Sequence, residues 1–227
     1  MFFVTTIVFI LWPEIDLSVS STFYHHGFNL AAQPEVVFIY RFFAKIHFLW
    51  LLILLALLLL SQWQLIIKRG ASNWHKLRQA SGYLFVSLLL VPGLLVNTLL
   101  KNNTTGRARP GDITIFGGDL PFTAPLTYSG ACDTNCSFVS GHAAIAFFTI
   151  ALAWVFGDRR WYVFGFALGC LVGLTRIMQG GHFLSDVVFA YWVVHFGCQW
   201  LAECFRLDPI FHSPATTAYP LPQLSNR

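Results

Sequence analysis

The sequence predicts an all-α, polytopic membrane protein, a bundle of six transmembrane helices. Three observations carry this. Of 227 residues 56% are hydrophobic, while only 14 are Lys or Arg and 10 are Asp or Glu. A soluble domain carries about 25% charged residues, so the charges are too few to cover a soluble globule. The uncharged stretches are also long, and a helix needs about 20 mostly apolar residues to cross a bilayer core of about 30 Å. Finally, the basic residues gather between those stretches. The same composition excludes a disordered chain. A net charge of +4 without a long basic run argues against a nucleic-acid partner.

The spans follow in order. Residues 1–13 form the first and weakest: the stretch before Pro13 rises only about 18 Å as a helix. It either continues past Pro13 or remains a short, partial span. It lacks the basic start and small-residue cleavage site of a signal peptide. Residues 16–24 read as a polar, weakly amphipathic segment on the outer surface, or equally as a plain connecting loop. Residues 46–67, 79–100 and 134–157 contain no Asp, Glu, Lys or Arg and form spans two to four. Residues 161–175 and 187–202 extend into their flanks to form spans five and six. Lys68, Arg69, Lys76 and Arg78 follow span two without an acid, and Arg159 and Arg160 follow span four. The positive-inside rule places both groups in the cytoplasm. Glu14, Asp16 and Glu35 then lie outside, and both termini inside. One domain covers residues 1–206; residues 207–227, rich in Pro, Ser and Thr, are expected to be a poorly ordered cytoplasmic tail.

Ionisable groups near membrane spans are costly and usually functional. Here they form three clusters: Lys101, Arg107 and Arg109 after span three; Ser140-Gly141-His142 at the start of span four; and Arg176, His182 and Asp186 between spans five and six. Because spans alternate in direction, all three clusters meet on the outer face. Lys and Arg make a cationic cradle, and the planar Arg fork suits anion oxygens. The backbone N–H groups of Ser140, Gly141 and His142 open a helix, and a helix N-terminus binds anions. Such a set suits a phosphoryl group. His182 and Asp186 are four apart, so on one helix they share a face, and a carboxylate on one ring nitrogen makes the other a better nucleophile. His142 can protonate a leaving oxygen. Each feature alone has a plainer reading: an end-of-span cation snorkels, and a His–Asp pair can be a structural hydrogen bond or half of a metal site.

Together these residues resemble the type 2 phosphatidic acid phosphatase superfamily, which also includes soluble vanadium haloperoxidases. The third cluster matches at Arg176, His182 and Asp186, with Thr175 where Ser is usual. The second matches at Ser140-Gly141-His142, with Val139 where Pro is usual. The first is looser: seven residues rather than six separate Lys101 from Arg109-Pro110, and the extra one is placed in the 102–105 loop. The resemblance implies that His182 attacks phosphorus, Asp186 orients it, and His142 protonates the leaving alcohol and then activates water. It implies that Lys101, Arg109, Ser140, Gly141 and Arg176 bind phosphate, with Arg107 supporting them from behind. No metal and no cofactor are implied. The partners implied are the bilayer and a phosphorylated membrane lipid, at the periplasmic face of a bacterial inner membrane.

Cys136-Ser-Phe-Val-Ser-Gly-His142 and Pro13-Glu-Ile-Asp-Leu17 resemble the lipid A 1-phosphatase group of that superfamily. Undecaprenyl diphosphate and phosphatidylglycerophosphate phosphatases share the motifs, so these substrates stay open, as do lipid phosphotransfer and a non-enzymatic anionic-lipid binder or transporter. Cys132 and Cys136 can form a disulfide on an oxidising side, remain thiols or bind a metal. Cys170, Cys198 and Cys204 read as buried packing residues, and His195 as a hydrogen-bonded interior residue. Arg41 and Lys45 read as snorkelling side chains at the outer end of span two.

Overall fold

The computed structural model describes residues 1–68, 72–101 and 105–210. Its regular elements are all helical, and no strand occurs among the described residues. The expected tail beyond 210 and the 102–104 part of the loop after Lys101 lie outside the described residues.

Helix α1 (Phe2–Leu11) stops at Trp12-Pro13, and α2 (Glu14–Ser21) departs from it at 83°. Proline offers no N–H to continue the ladder and crowds the preceding turn. The helix breaks at Pro13, and a second helix continues beyond it, so the two together are apolar enough for one bent span while α1 alone is short. The 16–24 stretch is not a plain loop: most of it is α2, with Asp16 and Ser20 buried and Ser18, Ser21 and Thr22 exposed.

Helix α3 (Pro34–Lys68) begins twelve residues earlier than span two was expected to, so Arg41 and Lys45 ride on it, both exposed. Helix α4 (Ser72–Leu88) runs on as a π-helix, Leu89–Leu100, with Pro92 inside it. Proline removes an α-type hydrogen bond; here Asn97 Nδ2 donates to the Pro92 carbonyl at 2.6 Å. Lys76 and Arg78, expected in a loop, lie on the first turns of α4. Helix α5 (Gly141–Phe147) continues through a 3-10 turn into α6 (Leu152–Phe156), followed by α7 (Arg159–Met178) and α8 (Leu184–Cys204).

Among the described residues three helices are long and apolar enough to cross a membrane: Pro34–Ile67, Ser72–Leu100 and Arg159–Met178; the bent α1–α2 pair makes a fourth if it counts as one. The expected fourth span is helical only over Gly141–Phe156, which is short for a crossing. Residues 134–140 are drawn off into loop structure, where Ser137 N–H donates to the Arg107 carbonyl at 2.9 Å and Ser140 N–H to the Asp186 carbonyl at 3.1 Å. The expected sixth span is α8, whose Asp186, His195, Gln199 and Glu203 dilute its apolar character.

The core is built around α5–α6. Ala143, Ala144, Phe147, Ile150 and Ala151 are buried there. Gly165, Gly169 and Gly173 recur every fourth residue on α7, and a Cβ at each would collide with Thr149 and Ile150, with Phe147 and with Val187 respectively. Small residues let apolar helices approach closely, which is how helices associate where lipid gives no hydrophobic drive. By contrast, α3 leaves Phe48, Leu52, Leu59 and Ile66 on its outside, the pattern of a helix facing lipid. Of the three cysteines expected to be buried, only Cys198 is; Cys170 and Cys204 are exposed. His195 Nδ1 lies 2.8 Å from the Tyr162 hydroxyl.

Candidate active site

The three clusters converge at one end of the bundle. Lys101 ends the π-helix and is almost buried. Ser140 caps α5 in an extended conformation, and Gly141 opens that helix. Gly141 has no room for a side chain, because a Cβ would strike Asn97 Oδ1. Arg176 lies in the last turn of α7, about one turn before the Gly180-Gly181 bend. A Cβ on Gly181 would occupy the Arg176 guanidinium, so this glycine makes space for the cation. Thr175 takes no part in the site: its hydroxyl donates to the Val172 carbonyl of its own helix at 2.7 Å.

His182 precedes α8 rather than lying on it, since the helix starts at Leu184. The shared helical face expected for His182 and Asp186 is therefore not how they meet. Asp186 sits in the first turn and accepts from Phe183 N–H at 2.8 Å, folding the chain before the helix back over it. The His182 ring is fully buried, with Nδ1 2.7 Å from the Ser137 carbonyl and 3.7 Å from Asp186 Oδ2. A carbonyl only accepts, so Nδ1 carries the proton and Nε2 the lone pair. Burial, reinforced by the charges of Arg176 and Lys101 and opposed by Asp186, lowers the His182 pKa to about 3. The ring is neutral at physiological pH.

Of nine buried side-chain polar atoms without a hydrogen-bond partner among the described residues, four belong to the three clusters: Ser140 Oγ, His142 Nε2, Arg176 Nε and His182 Nε2. Buried polar groups are nearly always paired. Three of these atoms belong to His142, Arg176 and His182, whose charges act on one another, and with Ser140 beside His142 they mark a place shaped for a polar ligand. The donors and cations around it suit an anion. Arg109 is half-exposed and donates through Nε and Nη2 to the Asn135 carbonyl at 3.2 and 2.7 Å. Burial first, then the charges of Arg109 and Arg176, lower the Lys101 pKa to about 8. Among the described residues no group of three His, Cys, Asp or Glu side chains is placed to hold a metal ion.

Arg107 lies apart from this anion space. It is fully buried; Nη1 is 2.7 Å from Asp186 Oδ1, Nη2 is 2.8 Å from Asp16 Oδ2, and Nε donates to the Thr123 carbonyl at 2.9 Å. Its guanidinium carbon stands 4.2 Å from the Phe183 ring centre. Three residues of this neighbourhood are not marked as site residues by the sequence, although Asp16 and Ser137 lie within the 13–17 and 136–142 stretches. Asp16 comes from α2, and Ser137 is one serine in a loop. Tyr40 comes from α3, stacks on His142 with ring centres 4.7 Å apart, and lies 4.7 Å from the Arg176 guanidinium carbon.

A pocket of about 450 Å³ opens beside the cluster. Its lining combines Lys101, His142 and Asn135 with the apolar Leu51, Leu88 and Ile145. Cys132 and Cys136 are joined as a disulfide in the loop leading to Ser140.

The sequence pattern of the PAP2 superfamily matches residues 80–207. A lipid A 4′-phosphatase of Francisella tularensis subsp. novicida is 33% identical over 207 residues, covering 85% of this chain and 90% of the relative. A lipid A 4′-phosphatase of Rhizobium leguminosarum is 39% identical over 125 residues, 54% of this chain and 52% of the relative. A lipid A 1-phosphatase of Rhizobium johnstonii is 33% identical over 135 residues, 56% of this chain and 51% of the relative. The chain thus spans nearly all of the Francisella relative and about half of each Rhizobium protein. No solved structure matches it.

Proposed function

This chain belongs to the PAP2 superfamily and is a membrane lipid phosphatase, and from that premise we propose that it removes a phosphate from a lipid A-type glycolipid through a phosphohistidine on His182. The observation that carries the proposal is the set of four unpaired buried atoms around one anion-shaped space. His182 Nε2 attacks phosphorus, and the P–O bond to the lipid breaks. The phosphate's negative charge compensates the cations around His142, which gives its proton to the leaving oxygen. His142 then takes a proton from water, whose oxygen displaces phosphate from His182 and restores the ring. Lys101, Arg176, Arg109, Ser140 Oγ and the Gly141 N–H hold the phosphoryl oxygens, whose charge spreads in the transition state. The Ser137 carbonyl and the Asp186 carboxylate support the positive charge that His182 acquires. The apolar side chains lining the pocket take the lipid side of the substrate.

In this reading α5–α6 and α8 complete a six-span bundle with the bent α1–α2 pair. The site faces the periplasm of a bacterial inner membrane. The basic loops support that orientation, and the disulfide beside the site supports an oxidising side. Coverage of the Francisella relative favours the 4′-phosphate. The resemblance of 136–142 to lipid A 1-phosphatases, with the similarity to the Rhizobium protein, favours the 1-phosphate as the second reading.

The test is to incubate the purified protein in detergent with bis-phosphorylated lipid A. Phosphatidylglycerophosphate, phosphatidic acid and undecaprenyl diphosphate run in parallel. Phosphate release is measured, and tandem mass spectrometry identifies the position lost. Loss of one lipid A phosphate is expected; release from only the other lipids would overturn the substrate assignment.

A further inference from the structure

Asp16 is the least expected member of the site's surroundings. It lies on α2, outside the matched residues 80–207, yet it is fully buried against the start of α8. Its Oδ1 accepts from Ser185 N–H at 2.8 Å, and its Oδ2 from the Ser185 hydroxyl at 2.5 Å. The same Oδ2 meets Arg107 Nη2 at 2.8 Å. Ser185 Oγ in turn accepts from Arg107 Nη1 at 2.8 Å. A helix start presents unpaired N–H groups and positive potential, so a second carboxylate is accommodated there beside Asp186.

The consequence lies in how the guanidinium is divided. An Arg facing a single carboxylate prefers a two-pronged grip on both oxygens. Here Asp16 takes one prong, and Asp186 meets Arg107 through Oδ1 alone. Asp186 Oδ2 is thereby left to accept from Ser137 Oγ at 2.5 Å and Phe183 N–H at 2.8 Å, and to face His182 Nδ1. The Ser137 whose hydroxyl donates this bond is also the residue whose carbonyl holds the His182 ring.

We infer that Asp16 is a positioning residue for the reaction. By occupying half of the Arg107 fork, it keeps Asp186 turned toward Ser137 and His182. The N-terminal helix pair is then part of the machinery that aims the attacking nitrogen. Removing the charge of Asp16 lets Arg107 close on both oxygens of Asp186, drawing Oδ2 from Ser137 and tilting His182. This inference rests on the phosphatase reading for its kinetic arm only.

The test compares Asp16→Asn and Asp16→Glu with Glu14→Gln, an exposed carboxylate of the same helix. Asparagine keeps an acceptor for Ser185 N–H and loses the charge. Phosphate release by Asp16→Asn should fall on the order of 10–100-fold in kcat with KM within about twofold, since the anion-binding cations are untouched. Asp16→Glu should recover part of that loss, and Glu14→Gln should match the wild type. A folded Asp16→Asn with wild-type kcat overturns the inference; if the Asn variant cannot be recovered folded, Asp16→Ser, which also removes the charge, is read in its place by the same criterion. The second arm needs no turnover. In protein labelled with 15N-histidine, the His182 ring resonances should shift in Asp16→Asn and stay fixed in Glu14→Gln. A shift in a protein that hydrolyses no lipid would leave the positioning role standing and remove the phosphatase reading. An unchanged ring in Asp16→Asn would overturn the positioning role.

Discussion

His182 Nδ1 donates to the backbone carbonyl of Ser137 at 2.7 Å, while the carboxylate of Asp186 stands 3.7 Å from the same nitrogen. A backbone carbonyl cannot be removed by a side-chain change, so the tautomer with a free Nε2 survives changes at Asp186. Asp186→Asn should therefore lower kcat without abolishing it, whereas His182→Ala should lower it by at least about a thousandfold. Phosphate release, with insertion checked by detergent size-exclusion chromatography, reads both. Equal losses in the two variants would show that Asp186, and not Ser137, governs the ring.

The pH dependence has a definite sign. A lysine whose pKa is lowered to about 8 loses its charge as pH rises through that value. One phosphate-binding cation then disappears, so affinity for inorganic phosphate or vanadate as a competing anion should fall above pH 8, by at most about tenfold per pH unit. Lys101→Arg keeps its charge far above that range and should flatten the fall. His182, already neutral above about pH 3, contributes no change between pH 4 and 8. An inhibition constant measured from pH 6 to 10 checks this.

Tyr40 packs its ring against both His142 and Arg176. A cation over an aromatic face contributes about 0.5–2 kcal/mol. Tyr40→Leu should therefore reduce kcat/KM by roughly 2- to 30-fold, and Tyr40→Phe should retain most of it. A Phe variant as poor as Leu would assign the effect to the hydroxyl instead.

Arg107 is the sole cation bonded to both buried carboxylates in the described residues. Removing one partner of a buried ion cluster costs about 3–5 kcal/mol. Arg107→Gln should lower the thermal unfolding midpoint in detergent markedly, while Arg109→Gln, whose side chain is half-exposed and bonded only to the Asn135 carbonyl, should leave it nearly unchanged and weaken phosphate binding.

Much of this site is legible in the chain because its motifs are compact. Ser140-Gly141-His142 and Arg176 to Asp186 lie at fixed short spacings, and alternating spans bring them to one face. What is not legible depends on distant contacts. Asp16 reads as one acid in a short polar stretch; only the 83° bend at Pro13 carries it to Ser185 and Arg107. Tyr40 has no pattern because α3 starts earlier than its apolar run suggests. The i, i+4 spacing of His182 and Asp186 points to a helical face, but the first-turn carboxylate folds residues 182 and 183 out of the helix instead. Span counting by apolar runs also overreaches at 134–157, where chain that looks membranous is used to build the loop behind His182.

The central claim is a covalent phosphate on His182. A single-turnover reaction with lipid A labelled in its phosphates, quenched in base, where phosphohistidine persists, and digested to peptides, tests it most directly. Label on the peptide that contains His182, absent from the His182→Ala protein, is the expected result. Turnover without protein-bound label, together with full activity in His182→Ala, would contradict it.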